Sequence, residues 1–205
     1  MDGGTAAYFA AKRAMDIIGA TIGLIAIAPI APFIWIAIRR ESPGPALVRL
    51  ERISANRIVH VYKFRTMVAG AHRMRAQLAR MNERRDGPLF KIRHDPRLTR
   101  AGVFLRKFRL DEFPQLVNVL RGELSLVGPR PHEPEEAVRY PEEYRFVLAA
   151  TAGVTGLSQV SGASSLPFAT ELALDAHYLT HRSITFDLRI IAKTAVILFT
   201  DPTAI

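Results

Sequence analysis

The chain has 205 residues, with 28 Lys and Arg against 19 Asp and Glu, and therefore a formal net charge of +9. It has no cysteine, which excludes disulfides, a thiolate nucleophile and cysteine-ligated zinc. The length suits one domain with its own core, and the positive charge indicates an anionic partner: a nucleic acid, a lipid surface or a phosphorylated substrate.

The first predicted element is an apolar segment, residues 17–38, which is 22 residues long and carries no charge. A bilayer crossing needs about 20 such residues, but Pro29 removes a backbone donor near the middle of the segment. Lys12-Arg13 and Arg39-Arg40 flank it, and the positive-inside tendency places both basic ends on the cytoplasmic side. The pattern favours a helix that enters the membrane, breaks at Pro29 and returns; a straight spanning helix with a proline kink stays open.

Two short strands are predicted at residues 46–52 and 58–64, where apolar and polar residues alternate, with a turn near residues 54–56. Lys63 and Arg65 flank an aromatic residue at the end of the second strand; this arrangement can bind phosphate and is equally typical of a solvated strand end. A basic amphipathic helix is predicted at residues 68–84. With an apolar anchor upstream, its arginine-rich face favours a membrane surface over a nucleic acid.

A short helix is predicted at residues 101–109, and residues 110–131 follow as LDEFPQLVNVLRGELSLVGPRP. Apolar residues then recur with helical period, Pro114 suits the first turn and Gly122 the end. Asp111 is therefore expected at or near the N-cap, where the helix dipole keeps it ionised and able to act as a nucleophile. Glu112 beside it can hold Mg²⁺. The same residues also fit an ordinary helix start.

Cations surround this carboxylate pair in the sequence. Arg106 lies just ahead of it, where a positive charge would keep both carboxylates ionised and help to hold a pyrophosphate. A short strand is predicted at residues 124–127, followed by a rigid turn at residues 128–131 that carries Arg130.

The remaining elements are an acidic surface helix at residues 133–148, a glycine-rich loop at residues 151–165, and helices at residues 169–179 and 184–199. The loop carries Gln159; its glycines suit close approach to a ligand or a plain connector. The last helix carries Asp187 and is too polar to span a membrane, so it is expected to pack on the core or lie in the interface.

Several chemistries are absent from the sequence. It has no GxxxxGK[ST], GxGxxG or GxSxG motif. His177 and His181 have metal-ligand spacing, but no glutamate follows the first histidine, so surface histidines are favoured over a zinc site.

Five motifs, in order along nearly the whole chain, resemble the bacterial sugar transferase family, the monotopic phosphoglycosyl transferases. They are KFRTM (63–67), DPRLTRAGVFLR (95–106), the 110–131 segment above, GVTGLSQVSG (153–162) and DLRI (187–190). The expected fold is α/β, mostly helical with a small β element. It is membrane-monotopic, with an N-terminal re-entrant helix at residues 1–40, interfacial amphipathic helices, and a catalytic unit at residues 41–205 on the cytoplasmic face of the bacterial inner membrane.

The resemblance implies a Mg²⁺-dependent transfer of a sugar 1-phosphate from a UDP-sugar to a polyprenyl (undecaprenyl) phosphate, with release of UMP, as the first membrane step of exopolysaccharide, capsule or O-antigen assembly. It implies that Asp111 is the nucleophile of a covalent phosphosugar intermediate and that Glu112 is associated with Mg²⁺. The positions expected to bind substrate or phosphate are Lys63, Arg65, Arg106, Arg130, Gln159 and Asp187.

The chain departs from the family pattern at four places. A serine usually precedes the proline of the membrane break, where this chain has Ala28. The strand turn usually carries glycines, where this chain has Ser54-Ala55-Asn56. Ala152 stands where a proline is usual, and Ala163 where an arginine is usual.

The alternatives differ in what they explain. A nucleic-acid-binding protein accounts for the charge but not for the apolar segment, so no nucleic-acid partner is expected. A non-enzymatic basic scaffold at the membrane surface accounts for the segment and the basic helices but gives no role to Asp111 and Glu112; Mg²⁺-dependent turnover distinguishes it. Inner-membrane lipid and a homo-oligomer formed through the membrane face are further expected partners, and the sugar is not identified by the sequence.

Overall fold

The computed structural model describes residues 3–84, 86–162 and 165–200. Its helices are α1 (Gly3–Ile27), α2 (Ala31–Glu41), α3 (Arg100–Lys107), α4 (Gln115–Leu120), α5 (Pro134–Ala137), α6 (Leu157–Val160), α7 (Phe168–His181) and α8 (Ile184–Thr200). Its strands are β1 (Leu47–Ser54), β2 (Arg57–Phe64), β3 (Ser125–Val127) and β4 (Gly153–Thr155), and 3₁₀ turns lie at Ala79–Met81, Leu110–Glu112 and Glu142–Ala149. A mostly helical α/β chain with a small β element is confirmed.

The N-terminal apolar segment is broken at Pro29, as predicted. Helices α1 and α2 meet at an angle of 63°, and Pro32 lies in the first turn of α2. The break forms although Ala28 provides no hydroxyl, because the Ala28 and Ile30 N–H groups donate to backbone carbonyls. Among the described helices no single one is long and apolar enough to cross a bilayer, whereas α1 from Ala6 and α2 pass that test together.

The basic residues ahead of the break are held by the protein itself. The Arg13 guanidinium donates to the Val119 and Leu120 carbonyl oxygens, each at 2.7 Å, and so binds the carbonyl end of α4. The Lys12 ammonium lies 2.9 Å from the Asp187 carboxylate and 2.9 Å from the Val127 oxygen. Part of the positive charge that flanks the apolar segment therefore docks α1 onto the rest of the fold.

Strands β1 and β2 form the predicted antiparallel hairpin, with Leu47 opposite Phe64 and Ser54 opposite Arg57. Ala55 and Asn56 connect them with φ values of 51° and 56°. Positive φ at both central residues is the turn whose twist matches a hairpin. The turn thus keeps the left-handed geometry that glycine would normally supply.

Two of the departures from the family pattern contact each other. The buried Ser54 hydroxyl accepts a hydrogen bond from the Ala152 N–H at 3.0 Å and donates to the Glu123 carbonyl at 2.7 Å. A proline at position 152 would have no N–H to donate. Ser54 and Ala152 therefore form a compensating pair that joins the hairpin end to the segment before β4.

Ser54→Ala is expected to lower the free energy of unfolding by about 2 kcal/mol, because it leaves the buried Ala152 N–H and the partly buried Glu123 carbonyl without this hydrogen-bond partner. Thermal or denaturant unfolding in detergent measures this loss. Ser161→Ala is the matched control, since Ser161 is exposed. Equal stability of the two variants would contradict the role given to the Ser54 hydroxyl.

The core joins the N-terminal helix to the segment that carries the carboxylate pair. One apolar cluster combines Ala20 of α1 with Val61, Leu116, Val119 and Leu124. A second apolar cluster joins the end of α1, α2, β2, α3 and the residue before β1. Its members are Ile27, Ile34, Ile38, Ala46, Phe64 and Leu105. The chain around Leu110–Glu112 therefore lies between two packed clusters. The division of the chain at residue 40 stays a prediction.

The helix predicted to open at Asp111 begins later. Residues Leu110–Glu112 form a 3₁₀ turn, and α4 starts only after Pro114. Asp111 therefore lies near the start of α4, but the N-cap of that helix is Pro114. Arg109 has a left-handed φ of 51°, which starts a tight turn, and Pro114 has no N–H with which to continue a helical ladder. Gly122, with φ of 74°, ends the segment as predicted.

Two predicted helices are absent as continuous elements. Residues 68–84 form successive turns, most of them closed by i to i+3 hydrogen bonds. Gly70, with φ of 78°, lies outside the helical region and interrupts the start of the segment. Residues 133–148 divide into α5 and the 3₁₀ turn Glu142–Ala149, because Pro141 is extended at φ −55° and ψ 144°.

The glycine-rich segment 151–165 is more regular than the loop that was predicted. Gly153–Thr155 is β4 and pairs in parallel with β3, and α6 follows. A Cβ at position 153 would lie 2.1 Å from the Gly128 nitrogen, so this glycine permits the close approach of two backbones. Ala163 lies outside the described residues. Helices α3, α7 and α8 confirm their predictions, and the Thr99 hydroxyl caps α3 by accepting the Gly102 N–H at 2.9 Å.

Candidate active site

A cleft of about 740 Å³ opens where the end of β2, α3, the 3₁₀ turn Leu110–Glu112, residues 128–131 and α6 meet. These elements bring together seven of the eight positions predicted from the sequence. They are Lys63, Arg65, Arg106, Asp111, Glu112, Arg130 and Gln159.

Lys63 bridges the two adjacent carboxylates. Its ammonium nitrogen lies 3.1 Å from Asp111 Oδ2 and 3.1 Å from Glu112 Oε1. Lys63 is the next-to-last residue of β2, and the left-handed Arg109 turns the chain so that both carboxylates meet it. The Asp111 side chain is 6% exposed and that of Glu112 is 28% exposed, so Asp111 lies deeper and Glu112 faces the open cleft.

The pKa values of the two carboxylates shift in opposite directions. Burial raises the pKa of Asp111; Lys63 opposes this shift and the charge of Glu112 adds to it. Burial would also raise the pKa of Glu112, but Lys63 and Arg109 outweigh it and hold that pKa below its usual range. The sequence predicted that a helix dipole and nearby cations would favour the ionised form of Asp111. In the structure Lys63 favours that form, but burial outweighs it and raises the pKa.

Arginines line the cleft around this pair. The Arg106 Nε donates to the Thr66 hydroxyl at 3.2 Å. In the described part of the chain, Arg106, Arg109 and Arg130 form no ion pair with a carboxylate. Cations without carboxylate partners in one cleft favour binding of a polyanion such as a pyrophosphate.

Arg65 and Gln159 line the cleft but are bound to backbone. The Arg65 guanidinium donates to the carbonyl oxygens of Pro43 and Ser42 at 2.7 and 2.6 Å. The Gln159 amide donates to the Val154 carbonyl at 3.0 Å. Both side chains therefore already support the walls of the cleft, and substrate binding by either stays a prediction.

Asp187 is the predicted position that does not line the cleft. Its fully buried carboxylate accepts hydrogen bonds from Lys12 at 2.9 Å and from the Tyr178 hydroxyl at 2.7 Å. These contacts tie α8 to α1 and α7. The DLRI motif identifies Asp187 in the sequence, but Lys12, which binds it, lies 175 residues away along the chain.

Glu112 is the carboxylate of the cleft that fits Mg²⁺. Glu112 Oε2 accepts no hydrogen bond from the described residues, its side chain is partly exposed, and its carboxyl is held ionised, so one oxygen ligand is in place. Across residues 3–84, 86–162 and 165–200 no three His, Cys, Asp or Glu side chains cluster as metal ligands. Mg²⁺ is usually bound by one or two carboxylates together with substrate phosphates, so the residues fit an ion that arrives with a phosphorylated substrate.

His177 and His181 lie on the exposed side of α7. Their rings stack with centroids 4.1 Å apart, and no third ligand joins them within the described residues. This agrees with the interpretation as surface histidines.

Thr66 and Asp175 support the site but were not predicted from the sequence. Thr66 binds Arg106, and the Asp175 carboxylate accepts the Arg130 N–H at 3.0 Å. One feature of the sequence could have identified Asp175: it lies four residues after Glu171 on the helix predicted at residues 169–179. Two acids on one helical face at i and i+4 repel each other when both are exposed, which points to separate partners.

Comparisons with known proteins agree on one family. The family model described as Bacterial sugar transferase matches residues 7–201. The chain is 37% identical over 191 residues to the undecaprenyl-phosphate galactose phosphotransferase of Salmonella typhimurium, covering 90% of this chain and 39% of that protein. It is 36% identical over 195 residues to the undecaprenyl-phosphate glucose phosphotransferase of Komagataeibacter xylinus, covering 89% of this chain and 35% of that protein.

A shorter relative is matched over most of its length. The exopolysaccharide production protein ExoY of Rhizobium meliloti is 35% identical over 188 residues, covering 90% of this chain and 83% of that protein. By contrast, the chain spans about two fifths of the length of the Salmonella protein and of a Streptococcus agalactiae relative, the galactosyl transferase CpsE.

Proposed function

We propose an activity from one premise: the chain belongs to the bacterial sugar transferase family. The protein transfers a sugar 1-phosphate from a UDP-sugar to undecaprenyl phosphate or a similar polyprenyl phosphate, and it releases UMP. The names of its relatives supply the acceptor and the place in exopolysaccharide production. The reaction is the first membrane step of the assembly of such a polysaccharide.

The observation that carries this proposal is the buried Asp111 carboxylate bound to Lys63 in a cleft with arginines that have no carboxylate partner. Both substrates are phosphate anions and would be repelled by a bare carboxylate. Positive groups placed where negative charge develops offset that repulsion and stabilise the transition state. A deep aspartate whose ionised form is favoured by Lys63 has the properties of a nucleophile toward phosphorus.

In the first step an oxygen of Asp111 attacks the phosphorus that carries the sugar. A bond forms between that oxygen and the phosphorus, and the bond from the phosphorus to the bridging oxygen of the diphosphate breaks. The electron pair leaves with the bridging oxygen as UMP. Arg106 and Arg130 bind the charge that the departing phosphate gains.

In the second step a phosphate oxygen of the polyprenyl phosphate attacks the same phosphorus. The bond between that phosphorus and the Asp111 oxygen breaks, and the carboxylate is restored beside Lys63. The product is a polyprenyl diphosphate sugar. An acyl phosphate is reactive enough to pass its phosphosugar on, so the covalent route divides one difficult transfer into two easier ones.

Mg²⁺ is the proposed cofactor. When it is bound, it neutralises phosphate charge on the donor and on the leaving group. Glu112 would hold it through its partly exposed carboxylate, while Lys63 and the arginines bind the remaining phosphate oxygens.

The bent helix pair supports a monotopic location on the cytoplasmic face of the bacterial inner membrane. Apolar side chains on α1 and α2 are exposed, among them Ile22 at 62%, Ile25 at 69% and Phe33 at 73%. Val103 and Phe104 are exposed on α3 beside Lys107. The apolar surface of α1 and α2 and the basic amphipathic helix α3 suit an enzyme at the membrane surface, where one substrate is in water and the other is in lipid.

The test is release of UMP from a panel of UDP-sugars by the native protein, with Mg²⁺ and undecaprenyl phosphate. We expect one or a few donors to give UMP, the activity to sediment with membranes, and detergent to release it. No UMP from any donor would favour the membrane-surface scaffold. Activity in the soluble fraction would contradict the membrane location.

A further inference from the structure

Helix α7 carries two fully buried carboxylates that the proposed chemistry does not use. Glu171 is 1% exposed and Asp175 is 0% exposed, and their spacing places them on one face of the helix. Glu171 pairs with Arg84 at 3.0 Å. Asp175 has no ion pair within the described residues. A buried carboxylate without a cation loses its hydration, which costs free energy. Hydrogen bonds from the protein must then replace the lost contacts with water.

The two oxygens of Asp175 bind two separate segments. Oδ2 accepts the Arg130 N–H at 3.0 Å, and Oδ1 accepts the Ser158 hydroxyl at 2.7 Å. Burial raises the pKa of Asp175, and these two hydrogen bonds oppose the shift. Arg130 belongs to the turn after β3 and Ser158 to α6, so the carboxylate joins two pieces of chain that are not neighbours in sequence.

Both segments line the cleft that holds Asp111 and Lys63. Arg130 and Gln159, the residue after Ser158, lie on its wall. The two segments are in backbone contact, since a Cβ at position 156 would lie 2.2 Å from the Gly128 oxygen. Asp175 therefore holds the Arg130 turn from the side opposite to the cleft.

Helix α7 also binds a third segment that lines the cleft. Glu171 binds Arg84, which lines the cleft near Leu89 and Lys91. One rigid helix thus fixes cleft-lining segments from three parts of the chain. This arrangement has a function if the relative placement of those segments determines ligand binding.

We propose that Asp175 is a positioning residue that orients the Arg130 turn toward the phosphates of a bound nucleoside diphosphate. The proposal rests on the proposed function, because it takes the donor to be a nucleotide sugar. Asp175 acts through the Arg130 backbone and does not touch the ligand. The two donors at Asp175 bind different oxygens, so an asparagine at this position would place its NH₂ group, itself a donor, against one of them.

The test is a double-mutant cycle on binding of UDP, measured by titration calorimetry in detergent. The four proteins are the native protein, Asp175→Asn, Arg130→Ala and the double variant. We expect Asp175→Asn to weaken UDP binding about tenfold in the native background and less than twofold when Arg130 is already alanine. Non-additivity of this kind identifies residues that act through one another.

Asp16→Ala is the control for the loss of a buried, hydrogen-bonded carboxylate. Asp16 is also a buried carboxylate on a helix, and it accepts one backbone N–H, from Leu126 at 2.8 Å, and one serine hydroxyl, from Ser125 at 3.0 Å. It does not line the cleft. We expect its substitution to lower the melting temperature and to leave the affinity for UDP unchanged.

Ser158→Ala keeps the test decisive if Asp175→Asn does not fold. It removes one of the two hydrogen bonds without changing a charge, and we expect about threefold weaker binding that again disappears when Arg130 is alanine. Equal weakening in both Arg130 backgrounds, no weakening, or absence of UDP binding by the native protein would overturn the proposal. Binding of UDP without UMP release from any donor would instead refute the proposed function, and the cycle would still decide the role of Asp175.

Discussion

Asp111→Asn is expected to reduce UMP release by about 1,000-fold or more while the protein stays folded. An amide oxygen does not attack phosphorus, and loss of a nucleophile removes most of the catalysis. The fold should tolerate the change, because burial raises the pKa of Asp111 and a neutral side chain of the same shape avoids the cost of a buried charge. UMP release and the melting temperature are measured on the same preparation.

A second measurement addresses the covalent step directly. With the UDP-sugar present and the polyprenyl phosphate left out, the native protein should gain the mass of one phosphosugar and Asp111→Asn should not. Glu142→Gln is the control for the loss of an acid, since the side chain of Glu142 is 82% exposed and remote from the cleft. Equal UMP release by the native protein and Asp111→Asn would remove Asp111 from the nucleophilic role.

Lys63→Met is expected to lower the rate of transfer about 100-fold near neutral pH and to move the acidic limb of the pH–rate profile upward. Lys63 lies 3.1 Å from both carboxylates and opposes the effect of burial on the pKa of Asp111. The reaction needs the ionised aspartate, so activity is lost as the pH falls through that pKa. Without Lys63 the pKa rises further, and the loss begins at a higher pH. The size of the rate effect is that of removing one preorganised charge from an active site.

Lys63→Arg separates charge from shape. It retains the positive group, so the acidic limb should stay near its native position even if the rate falls. A Lys63→Met profile with the native limb would show that Lys63 does not control the ionisation of Asp111. A lowered melting temperature in both variants would assign the lost rate to packing.

The elements that the sequence predicted correctly depend on local signals. Pro29 interrupts an apolar run, and the alternation of apolar and polar residues marks β1 and β2. Each signal depends on a few neighbouring residues, so it can be recognised without knowing the rest of the fold. Two helices predicted as continuous are interrupted by residues with a non-helical backbone, Gly70 near the start of residues 68–84 and Pro141 between α5 and the 3₁₀ turn.

The sequence by itself determined the residue types and order of the candidate site, because the motifs that carry Lys63, Asp111 and Arg130 are continuous segments. Only the tertiary structure decided how those residues act. The raised pKa of Asp111 follows from burial by distant elements, the place of Asp187 from its contact with Lys12, and the parallel pairing of β3 with β4 from a long-range approach at Gly153. Desolvation and long-range packing depend on residues far apart along the chain, so the local periodicity of the sequence does not predict them.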